Sequence, residues 1–130
     1  MCLDCGNVFK DAILNTKDYH CYSVPCPIAS CSGYMFEIDE EMIIPISTLN
    51  AKGYITEFCC SGHINDDSYG GYIKFAEDCM PDTAPVGWNK EDWNIIRYHF
   101  KDKECAANRM KAMHRRIEAL VKWCDELEEI

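Results

Sequence analysis

The sequence predicts an α+β protein in which a small cysteine-rich module precedes an antiparallel sheet with two helices. Three features predict it: cysteine pairs near the N-terminus, alternating apolar and polar segments in the middle, and a long C-terminal stretch without Gly or Pro. The 130 residues fit one domain, or one domain with a small appendage. We assign the module to residues 1–36 and the α+β domain to residues 37–130.

Composition and charge limit the classes of function that this protein can have. Hydrophobic residues make up 48% of the chain and charged residues 27%, so we expect a packed core rather than disorder. The formal net charge of −9 argues against nonspecific nucleic-acid binding. The longest strongly apolar run, residues 42–46, is far shorter than the roughly 20 residues that cross a bilayer, and no secretory signal opens the chain. We therefore predict a cytoplasmic protein without membrane contact.

Ten cysteines in 130 residues are the most unusual feature of the composition. In a reducing cytoplasm, clustered cysteines are more often metal ligands than disulfides. One pair has the spacing C-x2-C before Gly6, and another has C-x4-C before Ser32 and Gly33. The pairs are Cys2 with Cys5 and Cys26 with Cys31. Two such knuckles can place four thiolates around one Zn²⁺, and a closed site of this kind is structural.

The knuckles predict a zinc ribbon over residues 1–36, with short β segments that are too small to fold without the ion. The second knuckle is wider than usual. His20 and Cys21 lie between the knuckles, so either can replace one of the four ligands. The alternative interpretation is that the four cysteines are ordinary buried thiols.

The first helix of the α+β domain follows Asp39, which we expect to cap it, with Glu40 and Glu41 favourable in its first turn. Pro45 disfavours helical geometry at the residue before it. The helix is therefore expected to kink at Pro45 or to begin there. Residues 50–53 supply its C-terminal stop.

Three segments alternate as strands do, at residues 54–60, 71–76 and 94–100. Strict alternation in the first strand would place four residues on one face, namely Tyr54, Thr56, Phe58 and Cys60. Residues 81–88 are irregular because of their prolines and glycine. We expect Trp88 and Trp93 to pack over the sheet.

Residues 103–129 form the clearest helix of the chain. Its apolar residues recur at alternating steps of three and four, as in a coiled-coil seam. They are Met110, Met113, Ile117, Leu120, Cys124 and Leu127. We favour packing of this stripe against the sheet, and a homodimer through the C-terminal helix is the alternative.

The segment best suited to bind a ligand is the end of the first predicted strand. There, Ser61 and Gly62 can turn successive backbone N–H groups toward an anion, and His63 can add a donor. Basic side chains on the neighbouring strands can add positive charge on the same face. The predicted ligand-binding residues are Cys60, Ser61, Gly62, His63, Lys74, Arg97 and His99. Together they predict a pocket for a phosphate-bearing small molecule.

Other interpretations of this loop stay open. It can be an ordinary tight turn. Cys60 and His63 can act as nucleophile and base, which would make the protein an enzyme on a nucleotide or modified base. The same residues can hold a second, open metal site. A fourth interpretation is an adaptor whose ribbon and C-terminal helix bind other proteins.

The chain resembles a group of small, uncharacterised zinc-ribbon proteins encoded by bacteria and their phages. The resemblance rests on the motif LNxKGYxTxxCCSGH, which begins at Leu49 and ends at His63, and extends from the first knuckle to about Phe75. The core Cys60-Ser61-Gly62 is also similar to a loop of the wybutosine-synthesis methyltransferase family, which acts on a modified guanosine in tRNA. That family has an Arg in place of His63 and lacks the ribbon, so only a nucleotide-like ligand is implied.

Phages also encode small proteins that sequester nucleotide immune signals, and a compact acidic ligand binder is similar to them by analogy. The first hypothesis from the sequence is thus a noncatalytic protein with a structural zinc site that binds a nucleotide or another phosphate-bearing ligand.

Overall fold

The computed structural model describes residues 1–2, 4–8, 24–35, 38–62, 69–101 and 105–130. The chain divides into two compact units, Met1–Ile38 and Asp39–Ile130. In the described residues, no helix combines the length and the apolar character that crossing a membrane requires.

The first unit is built around sulfur-containing side chains. Strands β1 (Val24–Pro25) and β2 (Tyr34–Met35) pair antiparallel, and Cys2 forms an isolated bridge to Met35. Its buried cluster consists of Cys2, Cys26 and Met35, with Ile28 and Cys31 packed against it. Among the described residues of this unit, little hydrocarbon is buried, so apolar packing between them alone is a weak source of stability.

The second unit contains a four-stranded antiparallel sheet in the order β3-β4-β6-β5. Its strands are β3 (Thr56–Gly62), β4 (Tyr69–Phe75), β5 (Asn89–Glu91) and β6 (Ile95–His99). Its helices are α1 (Ile43–Ala51), which follows a short 3-10 helix (Glu40–Met42), and α2 (Ala106–Glu126). The described residues thus confirm an α+β fold with an antiparallel sheet and two α-helices.

Helix α1 starts two residues before Pro45, so the predicted start at that proline is wrong. A proline is tolerated in the first turn because the N–H groups there have no partner within the helix. Asp39 occupies the N-cap of the 3-10 helix but makes no side-chain capping bond, contrary to the prediction. Its carboxylate accepts hydrogen bonds from Ser61 instead.

Strand β3 departs from strict alternation. Thr56 pairs with Phe75 and Phe58 pairs with Lys74, so the register shifts by one residue between them. This β-bulge moves Phe58 to the face opposite Thr56. The predicted grouping of Thr56 with Phe58 and Cys60 is therefore wrong, because the residues after the bulge have exchanged faces.

One face of the sheet packs against α2. Tyr98 is fully buried there, with its ring inclined at 73° to that of Trp88 and at 85° to that of Phe100. Trp88 donates its indole N–H to the carbonyl of Arg116 at 3.0 Å. Trp93 remains 67% exposed, so the expectation that it packs over the sheet is wrong.

The residues of the predicted apolar stripe of α2 differ in burial. Met113, Leu120 and Cys124 are buried, and the helix contacts α1 and β3. Met110 is 43% exposed. Three of the six predicted stripe residues are thus buried within this unit.

Side chains cover part of the free edge of β3. The N–H of Thr56 donates to Asn50 Oδ1 at 3.1 Å, and the N–H of Ser61 donates to Asp39 Oδ2 at 2.8 Å. The opposite edge is β5, which has only 3 residues, two of them Lys90 and Glu91.

Candidate metal centre and outer sheet face

The four knuckle cysteines converge in the first unit. The Sγ atoms of Cys2, Cys5, Cys26 and Cys31 all lie within 4.8 Å of one another. The Cys2 and Cys31 sulfurs are 3.7 Å apart, and so are those of Cys5 and Cys26. Each of these close pairs joins one knuckle to the other.

The two separations of 3.7 Å match the edge of a tetrahedral metal site. With Zn–S bonds of about 2.3 Å, the edge of a regular tetrahedron of sulfurs is about 3.8 Å. A disulfide would instead bring two sulfurs to about 2.05 Å. The 3.7 Å separations therefore leave room for a central ion and exclude a covalent pair in this state.

Hydrogen bonds to sulfur support the same interpretation. The N–H of Gly33 donates to Cys31 Sγ at 3.4 Å, and the side-chain amide of Asn7 donates to Cys5 Sγ at 3.2 Å. Backbone N–H groups of Asn7 and Ile28 also act on Cys5 and Cys26. In each case the donor lies two residues after its cysteine. Donors aimed at sulfur favour the thiolate, which is the form that binds a metal.

The thiols influence one another's ionisation. Hydrogen bonds from the backbone and side chain of Asn7 lower the pKa of Cys5 to about 6. The Ile28 N–H lowers the pKa of Cys26, but burial and the neighbouring thiols outweigh it and raise the pKa to about 12. For Cys31, the Gly33 N–H lowers the pKa, but burial together with the neighbouring Cys2 and Cys5 thiols outweighs it, so the pKa is raised. A divalent cation would relieve this mutual opposition by compensating several thiolates together.

The turn after the first knuckle needs a glycine, as its sequence suggests. Gly6 has φ +76°, a conformation that other residues adopt at a cost, and its N–H donates to the Cys2 carbonyl at 2.8 Å. The alternative ligands His20 and Cys21 lie outside the described residues.

The predicted ligand-binding residues of the second unit separate into two groups. Cys60, Lys74 and Arg97 lie on the sheet face opposite to the one that carries Tyr98. By the register of β6, His99 lies on the same face as Arg97. We call this the outer face. It is formed by two cross-strand rows, Cys60-Tyr72-Arg97-Asn89 and Phe58-Lys74-Ile95-Glu91, together with His99.

The basic side chains of the outer face lie beside carboxylates. Lys74 Nζ lies 3.3 Å from Glu57 Oε2. Arg97 Nε and His99 Nε2 lie 3.1 and 2.6 Å from the two carboxylate oxygens of Glu91. Lys74 also lies over the Phe58 ring at 5.7 Å, and Arg97 over the Tyr72 ring at 5.1 Å. The face is thus a set of balanced charges and rings rather than a purely positive pocket.

Ser61 and Gly62 end β3 in a different environment. Ser61 is buried, and its hydroxyl donates to Asp39 Oδ2 at 2.9 Å. The Tyr98 hydroxyl donates to the Ser61 carbonyl. A side chain at Gly71 would collide with the carbonyls of Cys60 and Ser61, so close approach of β4 requires glycine there. The Ser61 side chain is thus engaged within the fold, and His63 lies outside the described residues.

The two adjacent thiols of β3 are held in their protonated form. Burial, with the Asp39 carboxylate nearby, raises the pKa of Cys59 to about 12. Burial also raises the pKa of Cys60, and Asp39 adds to the effect while the Gly62 N–H opposes it. A protonated thiol is a weak nucleophile, so this environment disfavours Cys60 as an attacking group.

Sequence reasoning did not identify the partners of these residues. Asn7 had a local signal, since a donor two residues after a cysteine commonly points at its sulfur. Asp39, Glu57 and Glu91 had none, because their roles depend on which strands are neighbours and on the position of the bulge.

Comparison of the chain with protein-family models, curated proteins and solved structures finds no match in any of the three.

Proposed function

We propose that this protein is a noncatalytic binding protein whose N-terminal unit is held together by one structural Zn²⁺. The observation that carries the metal assignment is the convergence of four cysteine sulfurs within 4.8 Å. Zn²⁺ suits this set because it accepts four thiolates in tetrahedral geometry. Four protein ligands leave no position for water or substrate, so the ion would stabilise the unit and take no part in catalysis.

Elemental analysis of the purified chain tests the metal. We expect one zinc per chain, and Cys26→Ser should remove it. Cys105→Ser is the matched control, because this thiol is exposed and lies outside the cluster, so zinc should be retained. Iron in place of zinc would overturn the identity of the ion, whereas absence of any metal would overturn the site.

For the second unit we infer a phosphate-bearing small-molecule ligand, with nucleotides as the leading class. What supports it is that Lys74, Arg97 and His99 share the outer face. A bound phosphate would replace the carboxylates of Glu57 and Glu91 as the partner of these basic side chains. The protonated state of Cys60 supports binding without covalent chemistry.

Resemblance to small phage-encoded proteins leads us to extend this proposal to sequestration of nucleotide immune signals. Thermal-shift measurements with a panel of linear and cyclic nucleotides test it, since a ligand of the folded state raises the melting temperature. Arg97→Ala should abolish the shift, whereas the exposed Lys101→Ala should preserve it. No shift with any nucleotide would favour the protein-adaptor hypothesis, and turnover of a nucleotide that Cys60→Ala abolishes would establish an enzyme.

A further inference from the structure

The four sulfurs of the candidate metal site differ in their access to solvent. Cys5 is exposed, Cys31 is half-buried, and Cys2 and Cys26 are buried. Reagents that attack cysteine act on sulfur that they can reach, and buried structural cysteines are inert toward them. A small reactive molecule therefore meets Cys5 before it meets the other three ligands.

The surroundings of these sulfurs explain the difference. Cys5 lies in an exposed turn, residues 4–8, where a side chain added at Gly6 would meet no atom within 4 Å. Cys2 and Cys26 instead belong to the buried cluster of this unit. Attack at either of them requires that this packing first be opened, whereas attack at the exposed turn requires no such step.

A second sulfur lies within reach of the exposed one. Cys26 Sγ is 3.7 Å from Cys5 Sγ, and Cys31 Sγ is 3.7 Å from Cys2 Sγ. A disulfide needs sulfurs at about 2.05 Å, so a short movement of two side chains suffices to form one. Both close pairs join one knuckle to the other. The geometry therefore favours a disulfide between the knuckles over one within a knuckle.

We propose, on the basis of the metal site proposed above, that this cluster is also an oxidation site for hydroperoxides, at which Cys5 reacts first and then forms a disulfide with Cys26. The Cys5 thiolate attacks one peroxide oxygen, the O–O bond breaks, and hydroxide or an alcohol leaves, which gives a sulfenic acid. The Cys26 thiolate then attacks the Cys5 sulfur, the S–O bond breaks, and hydroxide leaves. The two sulfurs together give two electrons to one peroxide.

The oxidation removes two of the four ligands. Cys2 and Cys31 remain, and two thiolates bind Zn²⁺ far more weakly than four. The first unit thereby loses its metal and the stability that comes from metal binding. A dithiol reductant exchanges with the disulfide and restores the ligands. The first unit thus changes state with the peroxide level, whereas the second unit, which contributes no ligand to this site, stays folded.

Titration of the zinc-loaded full chain with hydrogen peroxide tests the order of these events. A zinc-sensitive dye measures release of the ion, and peptide mapping by mass spectrometry without reductant locates the first disulfide. We expect the disulfide between Cys5 and Cys26 to appear together with free zinc, and dithiothreitol with added Zn²⁺ to reverse both changes. A first disulfide within one knuckle, either Cys2 with Cys5 or Cys26 with Cys31, overturns the proposal. This map needs no variant.

Two histidine variants test which sulfur reacts first, because histidine can bind Zn²⁺ in place of a cysteine but carries no sulfur to oxidise. Cys5→His should retain zinc and release it at least about tenfold more slowly under peroxide. The matched control is Cys31→His, which keeps Cys5 and should release zinc at close to the natural rate. Cys105→Ser, which removes an exposed thiol outside the cluster, should also release it at that rate. Equal rates in the two histidine variants overturn the proposal.

The metal content before oxidation separates this proposal from the metal site itself. A purified chain without any metal overturns the metal site and the oxidation site together. A chain that binds one zinc and keeps it under peroxide overturns the oxidation site alone.

Discussion

The two units of this protein obtain their stability from different sources. In Met1–Ile38, the described core is a cluster of Cys2, Cys26 and Met35 beside the four-cysteine site. In Asp39–Ile130, strands and helices bury large aromatic and aliphatic side chains such as Phe75, Tyr98 and Leu120. If the four cysteines bind a metal, the first unit depends on one group of ligands, whereas the second distributes its stability over many contacts.

The comparison teaches how each unit should fail. Loss of an ion removes the central organising interaction of a small metal-dependent unit in a single step, because binding and folding are linked. Loss of one side chain from a distributed core weakens it by an amount that depends on the cavity left behind. We therefore expect the effects of perturbing one unit to be distinguishable from the effects of perturbing the other.

The largest expected effect is chelation of the metal. Removing an ion whose binding contributes on the order of 10 kcal/mol should unfold the first unit and leave α2 helical. Amide NMR spectra before and after chelation measure this by unit, and added Zn²⁺ should restore the lost signals. A first unit that keeps its dispersed signals without metal would contradict the comparison.

The second expected effect comes from Leu120→Ala in the core of the second unit. Because Leu120 is fully buried, truncation should lower the free energy of unfolding by about 2–5 kcal/mol. Urea denaturation measures this change, while zinc stoichiometry should stay the same. Met110→Ala on the same helix is the control, and its exposed side chain should cost under about 1 kcal/mol.

A smaller loss is expected from Asp39→Ala. The carboxylate accepts the Ser61 N–H and hydroxyl at 2.8 and 2.9 Å, and its removal would leave both donors without this partner. We expect a loss of about 1–3 kcal/mol in the second unit. Glu40→Ala, one residue away and exposed, should cost much less. Equal losses in the two variants would show that the Ser61 contacts contribute little.

An effect confined to alkaline solution should appear as a pH dependence of the second unit. Burial raises the pKa of Cys59 and Cys124 from 9.0 to about 12. Between these values the folded state binds more protons than the unfolded state, so the free energy of unfolding falls as pH rises from about 9 to about 12. Melting temperatures from pH 8 to 11 measure the slope. Cys59→Ala should make it shallower, and an unchanged slope would exclude this thiol as a source.

Sequence reasoning succeeded where the signal was local. The spacing of the cysteines predicted that the four candidate ligands lie together, because each knuckle is a short turn and a tetrahedral metal site takes four ligands. Helix α2 was predictable because it lacks breakers over its whole length. Alternation found β4 and β6, since each has a buried face.

What the sequence missed depends on register. A bulge between Thr56 and Phe58 changes which side chains lie on the outer face, and the local sequence pattern does not predict this bulge. The ion pairs of Glu57 and Glu91 with the predicted phosphate-binding cations follow from that register. Strand β5 is too short, at 3 residues, to give an alternating signal.

The covered edge of β3 has a consequence for the behaviour of the protein at high concentration. An exposed edge strand offers its backbone donors to any other strand, which is the first step of β-aggregation. Asn50 and Asp39 occupy two such donors, and the bulge interrupts the ladder between them. These side chains act as gatekeepers against sheet growth, so their loss should favour fibrils as well as lower stability.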